Sequence, residues 1–299
     1  MKMITINIHS LEEPDYERKL HRFADVVLAE QPDIFAMQEV NQSAAAEKLE
    51  PSKLSGYVKC QDFEGEIRQD NHGARLSGLL LEEGARYFWT WVPAKLGYGK
   101  YDEGLAIFSR QPILEVDSFR ISRCDDYKNW KTRRILGVRT EKGWFYTVHM
   151  GWWDDEEEPF WEQWERLKGH IHRAAGEESD RPVWLMGDFN SLDKISGQGY
   201  DLVSESGWQD TYCLAKERDC GITVGKVIDG WKERLSDQAD EEGILGGQGQ
   251  LLEGMRIDYI WCSRKVPILS SQVICNGRNY PVVSDHYGVM IVAEQELHF

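Results

Sequence analysis

The stretch Val183-Trp184-Leu185-Met186-Gly187-Asp188-Phe189-Asn190 decides how this chain is read. An apolar run of strand length is followed at once by a glycine, a carboxylate and an amide. Polar groups at the end of a strand can leave the sheet and face a cleft, and the same arrangement recurs on both sides of this segment. Asn7 ends the run Met3–Ile8, and Gln38-Glu39 follows Ile34-Phe35-Ala36-Met37. His149 ends Phe145-Tyr146-Thr147-Val148, Asp258 lies within Arg256-Ile257-Asp258-Tyr259-Ile260, and Ser284-Asp285-His286 precedes the run Val289–Ala293. Further strand candidates are Leu79–Leu81, Leu105–Phe108, Ile135–Arg139, Trp144–His149, Val183–Gly187 and Arg256–Cys262. Two segments carry helical periodicity. From Tyr16 to Glu30 the residues Leu20, Phe23, Ala24, Val27 and Leu28 keep one face apolar, and Pro32 follows. From Phe160 to Ala175 the stripe is Phe160, Trp164, Leu167, Ile171 and Ala174. Many strands with few helices between them predict two packed sheets covered by helices, not one parallel sheet.

Composition narrows the classes. The chain has 299 residues, 41% hydrophobic and 29% charged, which suits one large domain spanning 1–299. The balance of 35 basic against 51 acidic residues, −16 overall, disfavours a nucleic-acid partner, because binding a polyanion needs local Lys and Arg. The one modest basic patch is Lys128, Lys131, Arg133 and Arg134. Six scattered cysteines, with no CxxC pair, read as thiols in a reducing compartment. No apolar run approaches the roughly 20 residues of a membrane span. No leader-like segment precedes Met3, so a cytoplasmic protein is the expectation. The segment 221–254, rich in glycine and acid, is expected to be a surface loop.

Each polar residue named above has a plain explanation when taken singly. A carboxylate after a strand is commonly a turn or cap, and an Asp-His pair alone carries no information. Together and in order they offer what phosphoester hydrolysis needs: oxygen ligands for a hard cation, a group to activate water, and donors for the charged transition state.

The series Asn7, Gln38-Glu39, Gly104-Leu105-Ala106-Ile107-Phe108-Ser109-Arg110, His149, Gly187-Asp188-Phe189-Asn190, Arg256-Ile257-Asp258-Tyr259 and Ser284-Asp285-His286 resembles the endonuclease/exonuclease/phosphatase superfamily. The resemblance covers nearly the whole chain. It implies a four-layer α/β/β/α sandwich with two mixed, mostly antiparallel sheets and a site at one end of both. It also implies a metal site of Glu39 with Asn7 and Asp285, filled by Mg²⁺ or Mn²⁺. His286 resembles the family's catalytic histidine, with Asp258 orienting it. Asp188 and Asn190 match the pair that positions water and phosphate, and His149 a phosphate-contacting position. Whether His286 or Asp188 takes the proton from water stays open. One departure is His9, where abasic-site endonucleases carry an acid.

A finer resemblance lies in Gly97-Tyr98-Gly99-Lys100-Tyr101-Asp102-Glu103-Gly104, in Asp125-Asp126-Tyr127 with Thr132-Arg133-Arg134, and in His149-Met150-Gly151-Trp152-Trp153. These segments are similar to a cytoplasmic bacterial branch that includes maltose 6'-phosphate phosphatases. On that basis Tyr127, Arg133, Arg134, Trp152 and Trp153 are candidate substrate-binding residues. Twelve tryptophans are many, and Trp152 and Trp153, between His149 and the acidic run Asp154 to Glu158, could stack on a sugar or simply pack beneath the Phe160 helix. The leading expectation is a phosphomonoesterase acting on a small phosphorylated metabolite, with no membrane partner. The alternatives are a phosphodiesterase (nuclease or sphingomyelinase-like) and a non-catalytic binding module.

Overall fold

A computed structural model describes residues 1–175, 181–228, 230–231, 245–246, 250–251 and 254–294. The strands are β1 (Lys2–Asn7), β2 (Ile34–Ser43), β3 (Phe88–Gly97), β4 (Tyr101–Ser109), β5 (Glu115–Arg120), β6 (Arg134–Thr140), β7 (Gly143–His149) and β8 (Val183–Asp188). They continue as β9 (Gln209–Asp210), β10 (Ala215–Arg218), β11 (Leu245–Gly246), β12 (Gln250–Leu251), β13 (Asp258–Cys262), β14 (Ile268–Ile274) and β15 (Gly288–Ala293). One sheet has the order β10-β14-β15-β1-β2-β4-β3 and the other β5-β6-β7-β8-β13-β9. The pairs β1–β2, β7–β8 and β10–β14 are parallel and the rest antiparallel, so both sheets are mixed.

Period-two alternation sorts the strand side chains into layers. Met3, Ile34, Ala36, Leu105 and Ile107 of the first sheet meet Leu136, Val138, Phe145, Trp184, Met186 and Ile260 of the second in one core. Their neighbours Ile4, Ile6, Phe35 and Met37 point outward, onto Leu20, Phe23 and Val27 of α1 (Tyr16–Glu30) and Leu76 and Leu80 of α2 (His72–Glu82). On the far side Tyr146, Val148, Leu185, Tyr259 and Trp261 pack beneath Phe160, Trp164, Leu167 and Ile171 of α3 (Phe160–Ala175). The result is the expected α/β/β/α order. Truncating a residue at the centre, such as Phe35 (fully buried), to Ala costs about 3–5 kcal/mol.

Some local expectations are corrected. Leu79–Leu81 lies within α2, not in a strand. Asn71 caps that helix by accepting the amide of Ala74 at 3.0 Å, and Leu76 and Leu80, one turn apart, face the sheet. β3, β5, β9, β10, β11, β12 and β14 lie outside the strands expected. β3 carries Pro93 at a register shift, which an edge strand tolerates, and β5 is an exposed edge with little apolar content. In the 221–254 segment Val224 bridges to Met255, and β11 pairs with β12. The expected loop at 229, 232–244, 247–249 and 252–253 lies outside the described residues. All six cysteines are free thiols. Among the described residues no helix is long and apolar enough to cross a membrane.

Candidate active site

The same alternation that builds the inter-sheet core aims polar residues inward where the two sheets end together. Asn7, His149, Asp188 and Asp258 share strand faces with Met3, Phe145, Met186 and Ile260, and all four are buried. His149 pairs with Asp188 across β7–β8, and Asp188 with Asp258 across β8–β13. Between the sheets, Gln38 Nε2 donates to Thr147 Oγ1 at 2.8 Å and to Thr5 Oγ1 at 3.2 Å, pinning the layers just below the site. Gly187, at φ 148°, is required there: a Cβ would stand 2.0 Å from the Val148 carbonyl oxygen and 2.8 Å from Gln38 Nε2.

Glu39 reaches the site through a bulge. The β2–β4 register shifts between Met37 and Val40, and Glu39 adopts φ 53°, an uncommon conformation for a non-glycine residue. Ser10 holds this shape, its Oγ donating to the Glu39 carbonyl at 2.7 Å and accepting the Asn41 amide at 3.0 Å. Asn7 Nδ2 then donates to Glu39 Oε1 at 2.9 Å and Asp188 Oδ2 at 3.3 Å, joining carboxylates from the two sheets.

Asp188 is the hub. Its Oδ1 accepts the Asn190 amide at 2.8 Å, while His149 Nε2 and His286 Nε2 stand 3.7 and 3.8 Å from its Oδ2. Asn190, at φ 46°, is itself fixed by donating to the Met150 carbonyl at 3.0 Å. His286 Nδ1 is 2.9 Å from Asp258 Oδ2, which orients the ring so that Nε2 faces Asp188 and the cleft. Burial opposes charge on His286, but the carboxylates of Asp258 and Asp188 prevail and hold it up at about 10. Asp188 is pushed up to about 7 by burial, partly offset by His286. His149 is held well below its ordinary value by burial and by the charges of Arg133, Lys95 and His286.

A cleft of about 420 Å³ opens over this cluster. Its floor is Glu39, Asp188, Asn190, His149, His286 and Asp285. It is also lined by Lys95, Leu96, Gly97, Tyr98 and Glu103 from the β3–β4 hairpin, and by Arg133, Trp130, Trp152, Ile228 and Gly230.

Of the substrate-binding candidates, Arg133 and Trp152 line this cleft; Arg134, Tyr127 and Trp153 do not. Arg134 Nη1 donates to Ser118 Oγ at 2.9 Å, and the Tyr127 hydroxyl donates to Asp102 at 2.7 Å. Trp153 packs against Phe160, ring centroids 6.3 Å apart. The acidic run is largely structural: Asp155 Oδ1 accepts the Glu157 and Glu158 amides, and Glu158 accepts those of Arg123 and Cys124. Lys95, Trp130 and Glu13 escaped the sequence reading, and Tyr98 and Glu103 entered it only within the segment Gly97–Gly104, not as site candidates. Glu13 accepts from the Asp285 amide at 3.0 Å and binds His9 Nδ1 at 2.9 Å, so His9 stays at the site by another route. A signal for Lys95 and Glu103 exists in the hairpin Val92–Leu105: pairing it around Tyr98-Gly99-Lys100 sets them opposite one another.

Whether these residues suit a divalent cation is tested by the buried atoms. Glu39 Oε2 is buried with no hydrogen-bond partner, and so is Asp258 Oδ1. Burial and the charges of Glu103 and Asp285 push the Glu39 carboxyl upward. Ligand atoms of Glu39, Glu103 and His149 lie within 4.8 Å of one another, as do those of Asp188, Asp258 and His286. Clustered acid oxygens lacking donors fit a hard cation.

Fold and site together define a metal-dependent phosphoester hydrolase. The chain belongs to the endonuclease/exonuclease/phosphatase family, whose model matches residues 4–286. It is similar in structure to an endonuclease/exonuclease/phosphatase family protein from Leptotrichia buccalis C-1013-b, with 26% identity, TM-score 0.78, and 99% and 100% of the two chains covered. A mannosyl-6-phosphatase from Bacteroides thetaiotaomicron VPI-5482 has 17% identity and TM-score 0.61 over 99% and 100% of the chains. The 3' phosphatase NExo from Neisseria, bound to product DNA hairpin, has 17% identity and TM-score 0.58 over the same shares. None of the curated proteins compared matches the chain.

Proposed function

We propose that this protein is a phosphomonoesterase that hydrolyses a small phosphorylated metabolite, a sugar phosphate, in the cytoplasm. The observation that carries the reading is the cleft: acid oxygens, two buried cations and two indoles line one space of about 420 Å³, the size of a small-ligand site. Trp130 is 50% exposed at the side of the cleft, where its face can meet the C–H face of a sugar. The acidic balance and the state of the basic patch favour a small substrate over a polyanion. Lys131 is paired with Asp155 and Glu157, Arg133 is buried, and Arg134 is turned to Ser118. The finer likeness to the maltose 6'-phosphate phosphatase branch belongs to the same reading, as does the similarity to a mannosyl-6-phosphatase.

Glu39, with Asn7 and Asp285, would hold Mg²⁺ or Mn²⁺, which supplies Lewis-acid polarisation of the phosphate when bound. Asp188, joined by hydrogen bond to Asn7 and facing both imidazoles, accepts the proton of the attacking water. His286, kept charged by Asp258, offers its Nε2–H to the developing negative charge, and Asn190 orients the phosphate beside it.

The competing reading is a phosphodiesterase or DNA-directed 3' phosphatase, which the similarity to NExo raises. A phosphate-release screen over sugar phosphates, nucleotides and inositol phosphates with Mg²⁺, run beside plasmid nicking, separates the two. Turnover led by sugar phosphates is expected. Nicking without release of phosphate from any monoester would overturn the proposal.

A further inference from the structure

We propose that Lys95 and Arg133 form a two-cation receptor for the terminal dianionic phosphate of a monoester, and that this receptor makes the site prefer monoesters to diesters. The inference rests on the phosphomonoesterase reading and names the groups that would enforce it.

Both cations line the cleft although they are only 7% and 5% exposed. Removing such charges from water is costly unless something compensates them. Lys95 Nζ is 3.0 Å from Glu103 Oε1, which uses one of its three donors. The β3–β4 register sets the two residues opposite one another on the inward face. Arg133 is fixed differently. Its Nη1 donates to the carbonyl oxygens of Trp130 at 2.9 Å and Thr132 at 3.4 Å, and its Nε is buried with no partner. Among the described residues no carboxylate forms an ion pair with it. The guanidinium is therefore tethered by neutral oxygens, with donor capacity left for an anion.

The location fits a phosphate bound to the catalytic cluster. Glu103 lies beside Glu39 and His149, and His149 in turn feels the charges of both Lys95 and Arg133. A phosphate held against Glu39 and His149 therefore shares one cleft with both cations. A monoester dianion offers three terminal oxygens. The guanidinium and the ammonium can share these three oxygens, and each charge counts for more because both cations are largely shielded from solvent. A diester carries one charge on two terminal oxygens, and its second ester group would occupy the space of a receptor contact while contributing no charge.

The test is titration of inorganic phosphate by calorimetry, with Mg²⁺ present, into the full chain and the variants Lys95→Gln and Arg133→Gln. Kinetics with p-nitrophenyl phosphate and bis(p-nitrophenyl) phosphate run beside it, and thermal melts report folding. Phosphate Kd should rise at least about tenfold in each variant, the effect of losing a charge-assisted hydrogen bond. Monoester kcat/KM should fall by roughly 10² while the diester loses less than about fivefold, and Lys95→Arg should recover most of the loss because the charge is retained. If the glutamine variants fail to fold, Lys95→Met and Arg133→Lys replace them, with the same loss expected for the former and a partial one for the latter. Unchanged phosphate affinity in folded variants overturns the receptor, and equal losses on both esters overturn its selectivity. A wild-type chain that cleaves only the diester sinks the monoesterase reading and the selectivity together, while the phosphate titration still decides the receptor.

Discussion

The two walls of the cleft are built on different principles. One wall is the row of strand-end residues Asn7, Glu39, His149, Asp188 and Asp258, with His286 held against it, tied by contacts between 2.9 and 3.8 Å. The other is the β3–β4 hairpin with Lys95, Glu103 and Tyr98, flanked by Trp130, Arg133 and Trp152. Groups on the first wall hold one another, so displacing one disturbs several. Those on the second are held more locally: Lys95 by the hairpin register and its ion pair with Glu103, Arg133 by two carbonyl oxygens. On the proposed function, substitutions of Trp130 or Arg133 should change substrate preference with less disturbance of the cluster around Asp188.

Substitutions on the first wall should therefore have the largest effects. Glu39→Gln keeps the shape of a side chain whose Oε2 has no partner, but a neutral amide binds a hard cation poorly. Turnover should fall roughly 10³-fold or more, since a bound cation supplies several kcal/mol, while the melting temperature stays near wild type. Excess chelator should do the same, with recovery on adding Mg²⁺ or Mn²⁺; full activity in chelator would remove the metal from the scheme.

Next in size, His286→Ala should lower kcat by at least about 10²-fold, the usual scale for losing acid–base assistance. The pH profile sharpens this. On the proposed mechanism turnover needs Asp188 unprotonated and His286 protonated, so kcat/KM should rise through about 7 and fall through about 10. Asp258→Asn removes a charge that raises His286, so the basic limb must move to lower pH. A basic limb that stays put in Asp258→Asn would show that His286 is not the group titrating there.

The same division marks what the sequence disclosed. Asn7, Glu39, His149, Asp188, Asp258 and Asp285-His286 stand beside apolar runs that locate strand ends, so their convergence at one end of the sheets was legible. Lys95 and Glu103 were not, because their meeting depends on how β3 pairs with β4. β3 reads poorly as a strand: Pro93 interrupts it, and the register shifts between Pro93 and Lys95. Arg133 and Arg134 are adjacent and look equivalent in sequence. Only the turn into β6 buries one in the cleft and aims the other at Ser118. Trp152 and Trp153 part in the same way, and Trp130 gave no motif at all. The helices α1 and α3 were legible to the residue from their apolar stripes, whereas Leu79–Leu81 was misread because three consecutive leucines carry no period of their own.

The smallest expected effect separates the indoles. Trp130 is half exposed at the cleft, Trp152 is 8% exposed with its ring edge-on to Trp231, and Trp153 packs on Phe160 outside it. If the second wall recognises a sugar, Trp130→Ala should raise KM for the sugar ester by about 2- to 30-fold, the equivalent of 0.5–2 kcal/mol of aromatic contact. KM for p-nitrophenyl phosphate measures the phosphate grip in a substrate with no sugar face, and it should move far less. Trp152→Ala should weaken both esters, because the void beside Trp231 loosens the wall that holds them. Trp153→Ala should lower the melting temperature and leave both KM values near wild type, since its ring touches α3 and not the cleft. Measured together, the three variants give an order: Trp130 selective, Trp152 general, Trp153 structural. A Trp153→Ala enzyme with the sugar-specific KM defect, or a Trp130→Ala enzyme without it, would break the separation of the two walls at the point where it makes its finest claim.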